Sequence, residues 1–134
     1  MTPVFLFHKH MLWIRRLKEV DLQDSYYAIM NKLSNEDIRL IHSLSSEELH
    51  SHLDNIHKIF VLEDVNSNQI LGAGTIVIQN DLGSQLCKIG NIRHITLDLS
   101  FQNTELYSIV LNHFTTYCRI QEKCAKICVH GKNS

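Results

Sequence analysis

Near the middle of this chain, His94, Thr96 and Asp98 alternate with Ile95, Leu97 and Leu99. Alternation with a period of two marks an extended strand whose successive side chains point to opposite faces. The polar face is read as the wall of a wet cleft or as a plainly solvent-facing sheet. In a cleft, the His94 imidazole would serve as a base or orienter near neutral pH.

Other reactive residue types are less well spaced. His8-x-His10 and His50-x-His52 contain metal-ligand types. Helical residues two apart do not face each other, so His50 and His52 would not share a face and no metal is expected. Cys87, Cys118, Cys124 and Cys128 form no CxxC pair, which argues against a zinc knuckle or a thioredoxin-type motif. Cys118 and Cys124 also have no basic or histidine partner at helical spacing to activate a thiolate. Reduced, partly buried thiols are expected. Gly72-x-Gly74 is too short for a dinucleotide fingerprint.

Composition narrows the function classes further. The 134 residues suit one domain, read here as 1–134. Apolar residues at 44% and charged residues at 20% sit in the ordinary globular range. With 13 basic against 14 acidic side chains, the net charge is −1. A broad nucleic-acid surface is therefore disfavoured, while a small basic pocket for one phosphorylated metabolite stays open. Val4-Phe5-Leu6-Phe7 is cut off by His8-Lys9-His10, too soon for a signal-peptide core. No run approaches the ~20 apolar residues that span a bilayer. A cytoplasmic protein without a membrane span is expected.

Several elements must position the polar strand. Leu12 to Leu17 reads as a first strand. Asp21 is expected to cap a helix carrying Tyr26, Ile29, Met30 and Leu33 at helical spacing, with Ser34-Asn35 ending it. Ser45-Ser46-Glu47-Glu48 has the form of a capping box, so a helix should run from about Ser46 to Ile56. Residues 59–64 and 70–78 form a hairpin across Asn66-Ser67-Asn68. Asn80 to Lys88 reads as a polar loop, followed by the strand Ile89 to Leu99. Leu106, Val110, His113, Phe114 and Tyr117 stripe a helix from about Thr104 to Glu122. Ala125 to Val129 is a last short strand. A terminal strand–helix–strand unit implies a parallel pair with a right-handed crossover. The class is α/β with a mixed sheet.

Several phrases resemble the GNAT superfamily, in particular the glucosamine 6-phosphate N-acetyltransferases. Ile14-Arg15-Arg16-Leu17 with Val20-Asp21-Leu22 is similar to that family's opening strand and helix start. Phe60-Val61-Leu62-Glu63-Asp64-Val65 followed by Gln69-Ile70 resembles its hairpin. Lys88-Ile89-Gly90-Asn91-Ile92 resembles the opening of its central strand, and Ala125-Lys126-Ile127 the entry to the next strand. The likeness covers about residues 12 to 130. It implies the GNAT acyl-CoA N-acyltransferase fold, a mixed sheet with helices on both faces, here with the last strands missing.

The resemblance also implies a reaction. Acetyl would pass from acetyl-CoA, the co-substrate, to the amine of glucosamine 6-phosphate in UDP-N-acetylglucosamine synthesis. An amine attacks a thioester carbonyl there, so backbone N–H groups must stabilise an oxyanion. The resemblance places them around Thr96, Leu97 and Asp98, with His94 as base or orienter. The cofactor segment is carried over as Leu97, Asp98, Leu99, Gln102, Asn103, Thr104, Glu105 and Leu106. The sugar phosphate is assigned to Ser34, Lys88 and Asn133, with Arg15 as a further basic candidate.

Departures from the family pattern are visible. Its acidic pair in the central strand falls on Arg93 and His94. Asn103, Glu105 and Tyr107 stand where small residues or glycines belong, and the family's thiolate-protonating tyrosine has no counterpart. A helix N-terminus binds pyrophosphate through backbone N–H groups, whereas Asn103 suits a cap and Glu105 suits the helix dipole. The alternative reading is thus a catalytically impaired relic or interaction module. Loss of the last strands leaves a sheet edge that a homodimer would cover.

Overall fold

The computed structural model describes residues 4–81 and 87–130. Six strands form one mixed sheet in the order β1-β2-β3-β4-β5-β6. They are β1 (Val4–Phe7), β2 (His10–Arg16), β3 (His57–Asp64), β4 (Ile70–Asp81), β5 (Cys87–Leu97) and β6 (Lys126–Val129). The first four pairings are antiparallel and β5–β6 is parallel.

The helices divide between the two faces. On one side lie α1 (Asp21–Asp24), α2 (Tyr26–Met30), α3 (Asn35–Ser43) and α4 (Ser46–Asn55). Their apolar residues Ile29, Ile41 and Leu49 pack on Val61, Ala73 and Ile59 of the sheet. On the other side lies α5 (Thr104–Thr116), continued by a wide π turn over Tyr117–Gln121. Its stripe Leu106, Val110, Phe114 and Cys118 closes on Leu12, Ile14, Phe60, Leu62, Ile76 and Ile92. Gly74 lets that layer close, because a Cβ there would lie 2.7 Å from the Phe114 ring.

Several expectations hold and several need correction. The capping box is present: Ser45 Oγ accepts from the Glu48 N–H, and the Glu48 carboxylate accepts from the Ser45 N–H. The last helix and strand lie where periodicity put them. Val4–Phe7, however, is a strand that pairs with β2 through the turn at His8-Lys9. Asp21 is not a cap; it lies inside the first turn, and its carboxylate binds Arg15 at 2.8 and 2.9 Å. Ser34 opens a helix instead of only ending one, because its Oγ accepts from the Asp37 N–H. The polar loop is narrower than 80–88, with β4 running to Asp81 and β5 starting at Cys87. Leu99 does not share the apolar face with Leu97. The Asp98 N–H bonds Leu71 O and the chain then enters a 3-10 turn, which leaves Leu99 85% exposed.

Candidate functional site at the parting of β5 and β6

Two irregularities of β5 build the site. The first is a bulge: Thr75 pairs with Arg93 and Gly74 with Ile95, so His94 is the extra residue. Its φ of 24° lies in the left-handed region, a conformation that a non-glycine residue keeps only where its surroundings hold it. The bulge shifts the alternation by one, so Ile95 and Leu97 face the α5 side while Thr96 faces the α1–α4 side. Bulges beside active sites re-aim side chains in this way.

The second irregularity is the end of a ladder. The β5–β6 register stops at Ile92↔Val129, with one more bond from the His130 N–H to Ile92 O. Among the described residues, Arg93 to Leu97 have β4 alone as a strand neighbour. Thr96 sits opposite Ala73, and the Asp98 N–H is spent on Leu71 O. The register therefore turns the N–H groups of Ile95 and Leu97 toward the opening beyond β6. Strand donors aimed into such an opening suit an oxyanion.

The opening leads to the start of α5, where the sequence carries its strongest departure. Asn103 caps that helix: its Oδ1 accepts from the Glu105 N–H at 2.8 Å and the Leu106 N–H at 3.2 Å. Two of the N–H donors at the helix N-terminus are thus already engaged. Thr104 and Glu105 are exposed in the first turn, Leu106 is buried, and Gln102 Nε2 reaches Leu97 O at 3.5 Å.

On the α3 side of the bulge lies a cavity of about 520 Å³ bordered by the polar Glu36, Gln79, Asn91, Arg93, His94 and His130 and by the apolar Ile56, Val77 and Ile78. Arg93 Nη1 holds Glu36 Oε1 at 2.5 Å. Asn91 Nδ2 donates to Gln79 Oε1 at 2.9 Å, and His130 Nε2 lies 3.1 Å from Asn91 Oδ1. Below the cavity, Thr75 donates to Asp37 Oδ2 at 2.7 Å, while Asp37 Oδ1 is buried with no hydrogen-bond partner among the described residues. His57 stacks on His52 with 2.7 Å between ring nitrogens; burial and that neighbour hold its pKa below the usual histidine range.

The remaining sequence-selected residues are scattered. Ser34 caps α3 two positions before Glu36, close to the cavity. Asp98 lies at the end of β5 and accepts from the buried Lys32 at 3.0 Å. Lys88 stands six residues before His94 in β5, roughly 20 Å away at strand rise, and pairs with Glu122. Arg15 is buried between Asp21 and Glu63 and is not turned to the cavity. Asn133 falls outside the described residues. Burial, reinforced by nearby Cys124, pushes the Cys118 thiol up to about 12, so it is no thiolate nucleophile. Among the described residues no cluster of histidine, cysteine or carboxylate could hold a metal, and no helix is long and apolar enough to cross a membrane. Sequence reading missed Glu36, Asn91 and His130, because the β5–β6 register alone brings His130 to Asn91 and the packing of α3 alone brings Glu36 to Arg93.

No protein-family model matches the chain, and no curated relative matches it in sequence. Solved structures do match. Glucosamine-6-phosphate N-acetyltransferase from Arabidopsis thaliana superposes with a TM-score of 0.63 at 20% identity, covering 90% of this chain and 82% of its own. An acetyltransferase from Trypanosoma brucei gives 0.65 at 20% identity, covering 91% and 84%. A GNAT family acetyltransferase from Staphylococcus aureus gives 0.65 at 12% identity, covering 91% and 87%. A mixed sheet whose central strand bulges and then parts from its parallel neighbour, between one long helix and a group of short ones, is thus the fold of the GNAT acetyltransferases.

Proposed function

We propose that this chain is an N-acetyltransferase that moves acetyl from acetyl-CoA to the amine of a small polar acceptor, with glucosamine 6-phosphate the first acceptor to test. The parting of β5 and β6 carries this reading: it leaves the Ile95 and Leu97 N–H groups facing one opening, beside a cavity bordered by Glu36, Arg93, His94 and His130. The amine lone pair attacks the thioester carbonyl, a C–N bond forms, and the carbonyl oxygen gains charge against those donors. The intermediate then collapses with loss of the CoA thiolate.

For a sugar phosphate, Arg93 is the cation in the cavity, and a phosphate would draw it from Glu36. Ser34 and the Asn91–Gln79 pair supply hydroxyl-seeking groups nearby. The product would serve UDP-N-acetylglucosamine synthesis in the cytoplasm, and a homodimer would cover the outer edge of the sheet at β6. Lys88 and Asn133 remain second choices for acceptor contact.

The Asn103 cap favours a second reading, an impaired relic or interaction module that binds acetyl-CoA weakly. One assay separates the two. Thiol release from acetyl-CoA is followed with glucosamine 6-phosphate, glucosamine and spermidine as acceptors, beside acetyl-CoA calorimetry. Acceptor-dependent release supports the enzyme. No release and no binding heat would leave the relic.

A further inference from the structure

We propose that His130 is the general base of this acetyl transfer and takes the acceptor's amine proton on Nδ1. The proposal rests on the acetyltransferase reading above. It starts from the hydrogen-bond chain that crosses the cavity wall.

The Val77 carbonyl can only accept, and it faces Asn91 Nδ2 at 3.5 Å, with Gln79 Oε1 at 2.9 Å. That fixes which end of the Asn91 amide is the NH2. Its Oδ1 is then turned to His130, and a carbonyl oxygen can only accept. His130 Nε2, 3.1 Å away, must carry the hydrogen. A neutral imidazole has one N–H and one lone pair, so Nδ1 is the lone-pair nitrogen.

Position supports the same role. His130 follows the last residue of β6, and its own N–H makes the final bond to β5 at Ile92 O, 2.8 Å. The ring is therefore tethered through its backbone and through Nε2 at the point where the two strands part. It borders the cavity shared with Glu36 of α3 and with Arg93 and His94 of β5. His94 is the competing imidazole: both rings are exposed, but His130 bonds Asn91, whereas His94 makes no side-chain hydrogen bond to a described residue. Its ring lacks an orienting partner, whereas a working base needs geometry first.

The step balances. The amine nitrogen uses its lone pair to form the C–N bond and passes one proton to Nδ1, giving an imidazolium. The C–S electron pair leaves with sulfur, and the imidazolium proton returns through water to the thiolate.

The test compares kcat/KM against pH for the wild type, His130→Gln and His94→Gln, with acetyl-CoA and the best acceptor of the panel. Glutamine at 130 can still donate to Asn91 but cannot take a proton. We expect its kcat/KM to fall ~100- to 10,000-fold, the acid limb to vanish and the KM for acetyl-CoA to hold. Added imidazole should partly restore His130→Ala. Undiminished kcat/KM in His130→Gln, or an acid limb lost in His94→Gln and kept in His130→Gln, would overturn the assignment. Ring-nitrogen NMR of the wild-type protein should find the Nε2–H tautomer; Nδ1–H would also overturn it. A wild type that releases no thiol with any acceptor fails the acetyltransferase reading itself, which an active wild type with an equally active His130→Gln does not.

Discussion

The two faces of the sheet are built on different chemistry. Under α5 the centre of the contact is apolar, with Phe114, Leu106 and Val110 filling the space above Gly74, Ile76 and Ile92, and one buried polar group stands at its far end, where Lys58 meets Glu122. Under α1–α4 the apolar contacts are interrupted by buried polar groups. Arg15 lies between Asp21 and Glu63, Thr75 meets Asp37, and Lys32 reaches Asp98. An apolar layer needs only complementary shape, whereas each buried polar group also needs a partner in the right place. The α5 layer therefore acts as the rigid backing, and the α1–α4 layer carries more of the directional groups.

Substitutions can break that contrast. The largest effect is expected from Phe114→Ala, which empties the centre of the α5 layer and should cost ~3–5 kcal/mol in urea unfolding. A loss well below this range would mean that the layer collapses to fill the gap. Next comes Arg15→Leu, which leaves Asp21 and Glu63 facing each other without their cation and should cost ~3 kcal/mol. Burial raises the Asp21 pKa, but bonds from Arg15 and the Lys18 N–H outweigh it and hold the carboxyl below its usual range. A depressed folded pKa gives stability that is present above the unfolded value and lost as pH falls through the folded one. Wild-type stability should thus decline below about pH 5, and Arg15→Leu should flatten that decline. An identical acid slope in both proteins would remove Asp21 as its source.

Smaller effects sharpen the comparison. Thr75→Val removes the one hydrogen bond that the Asp37 carboxylate receives from a side chain among the described residues and should cost ~1–3 kcal/mol. The smallest stability effect is expected from Asn103→Gly, a few tenths of a kcal/mol because glycine is a tolerable cap. It should nevertheless tighten acetyl-CoA binding in calorimetry by freeing the Glu105 and Leu106 N–H groups. Unchanged affinity would show that Asn103 does not compete with the pyrophosphate.

Local signals were readable in the sequence and non-local ones were not. Ser45 and Glu48 announce α4 because both halves of a capping box lie within four residues. The α5 stripe is legible for the same reason: its periodicity is internal to the helix. Helix α3 was hidden because Ser34-Asn35 looks alike as a stop and as a start; the decisive sign was Ser34 three positions before Asp37. Strand β1 was hidden by its short length and by the histidines that form its turn. At the site, the polar alternation of β5 was visible, but the bulge that shifts it at His94 depends on the register with β4. His130 has no local signal at all. Its role follows from Asn91, 39 positions earlier and brought alongside by the parallel ladder.

The order of the sheet has a consequence for assembly. Strands β3, β4 and β5 are joined by short connections, so they can zip up as a local meander at little loop-closure cost. Strand β2 must wait for the excursion through α1–α4, and β6 for the crossover through α5. The opening between β5 and β6 and the cavity beside it lie where those late arrivals meet the meander, in the part of the molecule expected to loosen first. Amide exchange should be slowest in Ile59–Leu62 and Ala73–Ile76 and faster in β6. A protein stressed by heat would on this basis fall silent while its central strands still held together.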